Sequence, residues 1–393
     1  MKLRLILVCL AAAAFVACSP NGGQIYSIIE NEKQAVDSTL PSPKTQTVAN
    51  VVSTGSGGPY YVAMGAIFRG VAKSDGTIDW TGGTGGSAVA IGAPAAGASC
   101  NAMAYYGGHL WGGFVTAGTV LGLYESTTVS GAETFAGAQA VTDPSVQGLQ
   151  IALIQVANGN LFVVTATVSG TDYVYNLVFY NGTTWFPVTS LTGVSAPITG
   201  VGWDGTQYWA VSSGTLQGTQ TVAPVIYTGT AASPPAFTAY GAPGSYTIAT
   251  TDIIHGLFAS QTPLGIVILC TKNEGVYYLY GGTWYHLTDV QSSINVGFLC
   301  ATASYDSAGD VLVGSDGYGY YLLSPGTQGL TRPSDAINTT IALHTSAVSS
   351  ILVDPSQPTS RNRVFMGTAG AGLWRSAFDP TTGAPDSNGW THE

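Results

Sequence analysis

One short pattern recurs seven times along the chain, and the recurrence constrains the fold more than any other feature. Mostly apolar five-residue runs, with small residues at or near their ends, stand at YVAMG (61–65), LWGGF (110–114), LFVVT (161–165), YWAVS (208–212), IVILC (266–270), VLVGS (311–315) and VFMGT (364–368). Successive starts lie 49, 51, 47, 58, 45 and 53 residues apart. A fixed period of this size marks a repeat architecture, in which each unit buries its apolar surface against the next. Several runs follow an apolar segment that ends at a turn, such as ITGVGWDGTQ (198–207) and SSILVDPSQ (349–357). Six precede an apolar–aromatic pair: Ile67-Phe68, Leu123-Tyr124, Ile226-Tyr227, Val276-Tyr277, Tyr320-Tyr321 and Leu373-Trp374. A fourth segment carries an aromatic residue in six units, at Trp80, Phe135, Trp185, Phe237, Trp284 and Trp390.

Four short strands per unit at this period predict an all-β fold, a seven-bladed β-propeller of four-stranded blades over residues 46–393. The large aromatics are expected to fill the wedges between blades. Composition agrees. Only 8% of residues are charged and Gly numbers 52 of 393, so the helix-forming charged residues are scarce while turn formers abound. Asn181-Gly182, Asp204-Gly205 and Asp316-Gly317 fall where hairpins need positive φ. A parallel β-helix has shorter rungs, and a sandwich would not repeat seven times.

The segment SILVDPSQPTSRNRVFMGTAGAGLWRS (350–376) resembles repeats of the BNR/sialidase-like and two-component-regulator propeller families. The resemblance rests on Asp354-Pro355, Gly367-Thr368 and Gly372 before an aromatic strand, and it implies a fold rather than an activity. Sialidases, which resemble this fold, use an arginine triad. The propeller region holds Arg69, Arg332, Arg361, Arg363 and Arg375, in units that become neighbours when the ring closes. Either an anion site or structural arginines would account for them. Asp75 and Trp80 keep the spacing of the sialidase Asp-box, whereas Lys73, Thr77 and Asp79 depart from it.

The N-terminus reads as a processing signal. Lys2 and Arg4 precede the apolar stretch 5–17, which is too short to span a bilayer, and Cys18 follows directly. The junction Phe15-Val16-Ala17-Cys18 resembles the lipobox of bacterial lipoproteins, with Phe15 standing where Leu is usual. The resemblance implies a signal peptide over 1–17, lipidation (palmitate among the acyl chains) at Cys18 and anchorage to a membrane of the bacterial envelope, with Ser19 pointing to the outer membrane. An ordinary secretory signal is the alternative. Residues 18–45 then form a lipidated tether, either a spacer or a short docking helix over 25–36.

No Lys or Arg occurs between Ser74 and Thr271, and the chain carries a formal charge of −10, so nucleic-acid binding is excluded. Cys100, Cys270 and Cys300 show neither a disulfide framework nor metal-ligand spacing and read as buried thiols. The histidines His109, His255, His286, His344 and His392 are scattered; His255, in IIHGLF (253–258), is placed to face a central tunnel. The pairs Asp75/Asp79 and Asp306/Asp310 read as turn caps rather than as glycosidase carboxylates, and Asp306, Asp310 and Asp316 lack the order of a calcium loop. No catalytic residue, metal or cofactor is called for, and the sequence leaves the binding residues unknown. The expected function is a lipid-anchored envelope module that binds an envelope protein or a glycan; a glycosidase or lyase acting on extracellular polysaccharide is the alternative.

Overall fold

A computed structural model describes residues 47–393 apart from 56, 75, 82–87, 170–171, 218–219, 262–264, 289–295, 305, 307–308, 334–340, 355–361 and 382–388. The signal, Cys18, the tether, Asp75, Pro355 and Arg361 therefore lie outside the described residues. Seven antiparallel blade sheets follow one another along the chain, six built from consecutive strands and the fourth interrupted by a separate two-stranded hairpin between its second and third strands. Their second strands are the seven recurrent runs, such as Tyr60–Met64, Tyr208–Ser212 and Val311–Ser315, in which every residue is buried. A strand covered on both faces by neighbouring sheets reads as a continuous apolar run, which is why these segments stood out.

The innermost strands are Asn50–Ser53, Ser99–Tyr106, Gln150–Ala157, Ile198–Trp203, Ile254–Ser260, Phe298–Ser304 and Val348–Asp354. Each packs beside the next, and the last packs beside the first, so the ring is closed around a central axis. Because adjacent strands alternate in direction, the loop entering each innermost strand and the turn joining the second and third strands share one face, here called the entry face.

Three of the entry-face turns are nearly identical. Thr271, Ser315 and Thr368 each donate a side-chain hydrogen bond to the carbonyl four residues on, Gly275 (2.9 Å), Gly319 (2.8 Å) and Gly372 (2.7 Å). The receiving glycines have φ of 88°, 75° and 72°, a conformation that penalises any other residue.

Aromatic residues bridge the blades as expected. Trp111 contacts Tyr180 and Trp185, Phe162 contacts Tyr208, Trp209 contacts Trp284, and Tyr320 contacts Trp390, with ring centroids 5.2–5.9 Å apart. One expected strand is displaced. The segment before Phe135 pairs as Ala132–Thr134 with Thr127–Val129 in a separate hairpin, and the fourth position of blade 2 is taken by Ala140, bridged to Tyr124. Phe135 still enters the core, 4.8 Å from Phe114. Its burial was legible; its strand was not.

Among the described residues no strand is exchanged between the first and last blades, and side chains and loops bridge them. Near the axis, Val48 N–H donates to Thr368 O (2.9 Å) and Ser349 Oγ to Val48 O (2.7 Å). On the opposite face, the Arg363 guanidinium is 2% exposed and donates to Tyr60 Oη (2.7 Å) and Gly76 O (3.1 Å). Tyr60 in turn donates to buried Asp354, which also accepts from Gly57 N–H (3.1 Å). At the outer rim, Glu393 accepts from Trp80 Nε1 (2.9 Å) and pairs with Arg375 (2.5 Å).

Candidate functional site

The innermost strands do more than line the axis. In six of the seven blades the ladder to the second strand skips one residue at the same point, between Cys100 and Ala102, Ile151 and Leu153, Ile198 and Gly200, Ile254 and Gly256, Phe298 and Cys300, and Val348 and Ser350. Each skip is a β-bulge, which leaves one residue unpaired and re-aims its side chain. The six bulged residues are Asn101, Ala152, Thr199, His255, Leu299 and Ser349, and all six line a central cavity of about 270 Å³. Blade 1 contributes Ala49 and Asn50 to the same wall. The bulges lie near the starts of the innermost strands, so the cavity occupies the entry-face half of the tunnel.

A small residue follows several bulges for a steric reason. A Cβ on Gly200 would meet Leu257 N at 2.7 Å, and one on Gly256 would meet Leu299 O at 2.7 Å. Neighbouring innermost strands approach too closely there for any side chain.

Among the described residues the cavity wall mixes polar and aliphatic side chains and carries no formal charge. Thr199 Oγ1 donates to Ile254 O (2.9 Å), Asn50 Nδ2 to Met103 O (2.9 Å), and Ser213 Oγ to Gly214 O (3.0 Å). Three buried polar atoms of the wall have no partner among the described residues: Asn101 Oδ1, His255 Nε2 and Ser350 Oγ. An unsatisfied buried polar atom costs about 1–3 kcal/mol. Burial, with a smaller contribution from nearby Lys272, lowers the His255 pKa to about 4, so the imidazole is neutral near pH 7. Cys300 also lines the cavity, with burial pushing its thiol up to about 12, which makes it a poor nucleophile.

Carboxylates converge at one point beside the mouth. Asp252 is 2% exposed, and burial, followed by the neighbouring Glu274, raises its pKa. Its Oδ1 accepts from Ile253 N (2.8 Å), Asn273 N (3.1 Å) and Asn273 Nδ2 (3.0 Å). Glu274 accepts from Tyr277 Oη (2.7 Å) and Ala249 N (3.2 Å). The pair therefore ties the loop before blade 5 to the entry-face turn of that blade, rather than presenting an acid and a base to solvent.

Most of the other residues singled out in the sequence are structurally committed; Arg69, on the third strand of blade 1, leaves its Nε without a partner among the described residues. Asp79 Oδ1 caps Thr81 N–H (2.9 Å), and Asp306 Oδ1 caps Asp310 N–H (3.0 Å). Arg363 and Arg375 close the ring, whereas Arg332 lies on the entry face, donating to His344 O (2.8 Å) with Tyr318 below its guanidinium. The described arginines do not gather into a triad. His286 stacks on Tyr277, and His392 on Trp374. His109 bonds Glu133 through Nδ1; Glu133 lies between it and Ser126, so the histidine is not placed to activate that hydroxyl. Burial alone would raise the Glu133 pKa, but hydrogen bonds from Ser126, Thr128 and His109 lower it overall. Among the described residues, no three His, Cys, Asp or Glu side chains group to hold a metal ion.

A second feature stands on the entry face. The second and third strands of blade 3, Asn160–Ser169 and Asp172–Tyr180, pair along their whole length. The innermost strand accompanies them only to Ala166, so the ribbon projects three residues beyond it, roughly 10 Å. At its tip the cross-strand neighbours Val168 and Tyr173 are 69% and 47% exposed, and Tyr175 lies beside Tyr173. The adjacent blade adds the hairpin Thr215–Gln217/Gln220–Val222 on the same face.

Of sequence readings, only His255 had been placed in the tunnel. Asn101, Thr199, Ser349 and Ser350 lie in apolar–X–small triplets found in four blades, CNA, ITG, IHG and VSS, a pattern too common to mark a bulge by itself.

No protein-family model matches the chain, and no curated protein matches it. Among solved structures it is similar to PorZ, an essential bacterial surface component of the type-IX secretion system of Porphyromonas gingivalis, with 14% identity and a TM-score of 0.54. It is also similar to the extracellular domain of the putative hybrid two-component system BT3049 from B. thetaiotaomicron, with 12% identity and a TM-score of 0.51. The matches cover 88% and 86% of this chain but only 48% and 40% of those chains. At such identity the likeness establishes the propeller fold, and the chain spans less than half the length of either neighbour.

Proposed function

We propose that this protein is a lipid-anchored propeller of the bacterial envelope, held at the outer membrane through Cys18, that acts as a non-catalytic binding or assembly module. Its partner is an envelope protein docked on the entry face; a glycan stacked on the same aromatics is the second class. The observation that carries this reading is the blade 3 ribbon, which lifts Val168 and Tyr173 into solvent in a region without a single Lys or Arg. Aromatic residues on a rigid support are what protein interfaces use as anchors. The surface and extracellular neighbours add support for the setting, and among the described residues no helix is long and apolar enough to cross a membrane.

A glycosidase of the usual kind needs two carboxylates facing a substrate. At the mouth, Asp252 Oδ1 and Glu274 hold loop backbone, Asn273 and Tyr277, and Asp252 Oδ2, which has no partner among the described residues, is buried rather than turned to a substrate cleft. Crosslinked membranes carrying the tagged full chain should yield a near-stoichiometric protein partner. Val168→Ser/Tyr173→Ser should lose that partner while keeping membrane attachment. Equal recovery with the double variant would refute docking at the ribbon. Cys18→Ala should abolish palmitate labelling and release the protein from membranes; retained label would refute the anchor.

A further inference from the structure

We infer that the entry-face half of the tunnel is a binding site for one small uncharged polyhydroxylated molecule of monosaccharide size. The inference is independent of what docks on the blade 3 ribbon. It rests first on the bulges. One insertion could be an accident of local packing, but six at the same register place six side chains on one ring around the axis. Bulges are the device by which sheets re-aim side chains at functional sites.

The chemistry of the wall defines the occupant. Asn101 Oδ1 is an acceptor, Ser350 Oγ donates or accepts, and neutral His255 Nε2 does either according to its tautomer. All three atoms belong to residues that line one cavity, a wall that suits a ligand with several hydroxyls. Between them the wall is aliphatic, through Ile154, Leu257, Leu299 and Ile351. Water satisfies the polar atoms but gains nothing from the aliphatic ones, whereas a sugar or cyclitol presents hydroxyls at its rim and C–H groups on its faces. A charged ligand would be stranded, because no Asp, Glu, Lys or Arg lines the cavity among the described residues. The size also fits. A cavity of about 270 Å³ has room for roughly nine waters at about 30 Å³ each, space enough for one monosaccharide.

The test is calorimetric titration of the purified full chain with glucose, N-acetylglucosamine and myo-inositol, singly. We expect saturable binding of at least one of them at one site per chain. Asn101→Leu, which keeps the volume and removes the acceptor, should weaken it by about ten-fold or more, and Ser350→Ala should weaken it without disturbing the fold. Val168→Ser/Tyr173→Ser should leave it unchanged, which separates this site from the ribbon. Absence of saturable binding by all three probes would overturn the proposal. So would binding that survives both tunnel substitutions in chains whose melting temperature matches the parent.

Discussion

Replacing Arg363 with Met tests how this ring is closed. Arg363 makes two hydrogen bonds across the last junction, to Tyr60 Oη and Gly76 O, from the buried end of a strand in blade 7. Met fills much of the aliphatic volume and removes the charge. Asp354, 3% exposed, would then keep its bonds from Tyr60 and Gly57 but lose the cation beside it. Breaking a buried charge pair by removing one partner costs about 3–5 kcal/mol. For a folded region of this length, the unfolding entropy converts that loss into a drop of roughly 4–7 °C in melting temperature. Differential scanning calorimetry reads it directly. Arg363→Met/Asp354→Leu removes both charges and should recover part of the loss, because the stranded carboxylate is gone. A shift below about 1 °C for Arg363→Met, or a double variant no more stable than the single, would refute the view that this cluster closes the ring.

Three further outcomes follow from the same structure. His255 is held neutral with its pKa depressed to about 4, whereas an unfolded histidine titrates near 6.5. The unfolded chain therefore takes up a proton first as pH falls. Stability should be insensitive to this group above about pH 6.5 and decline between 6.5 and 4, by about 3 kcal/mol in all; His255→Gln should flatten that part of the profile in urea melts, and an unchanged slope would count against the tunnel placement. Cys270, whose thiol burial drives upward, should resist iodoacetamide at pH 8 until denaturant is added, as read by mass spectrometry; rapid alkylation at this residue in the folded chain would contradict its burial, whereas Cys300 is only partly buried. Gly319→Ala should cost about 1 kcal/mol or more, because the residue sits at φ 75° with a Cβ position 3.0 Å from His344 Cα, and an unchanged melting temperature would remove the steric account of that turn.

The fold was legible because the second strand of each blade is buried on both sides and so writes an unbroken apolar run into the sequence. Phe135 shows the limit: its burial could be read, yet its segment pairs in a hairpin of its own, since an aromatic fills a wedge equally well from a strand or from a loop beside one. The tunnel was legible at a single residue, His255, whose polarity breaks an apolar strand. Thr199 and Ser349 make no such mark, and a bulge adds one residue without any compositional trace; it shows only when the register of paired strands is known. The ring closure was illegible for another reason. Arg363 and Tyr60 are 303 residues apart, and neither position carries a local signal of the other.

The central functional claim, a partner docked on the entry face, is tested most directly by a photocrosslinking amino acid placed in the native membrane-bound protein. Two positions serve: Tyr173 at the ribbon tip, and Val129, which is 58% exposed on the hairpin at the opposite face. The account predicts one discrete protein adduct from position 173 and none of that mass from position 129. The same adduct from both positions, or an adduct from 129 alone, would contradict it.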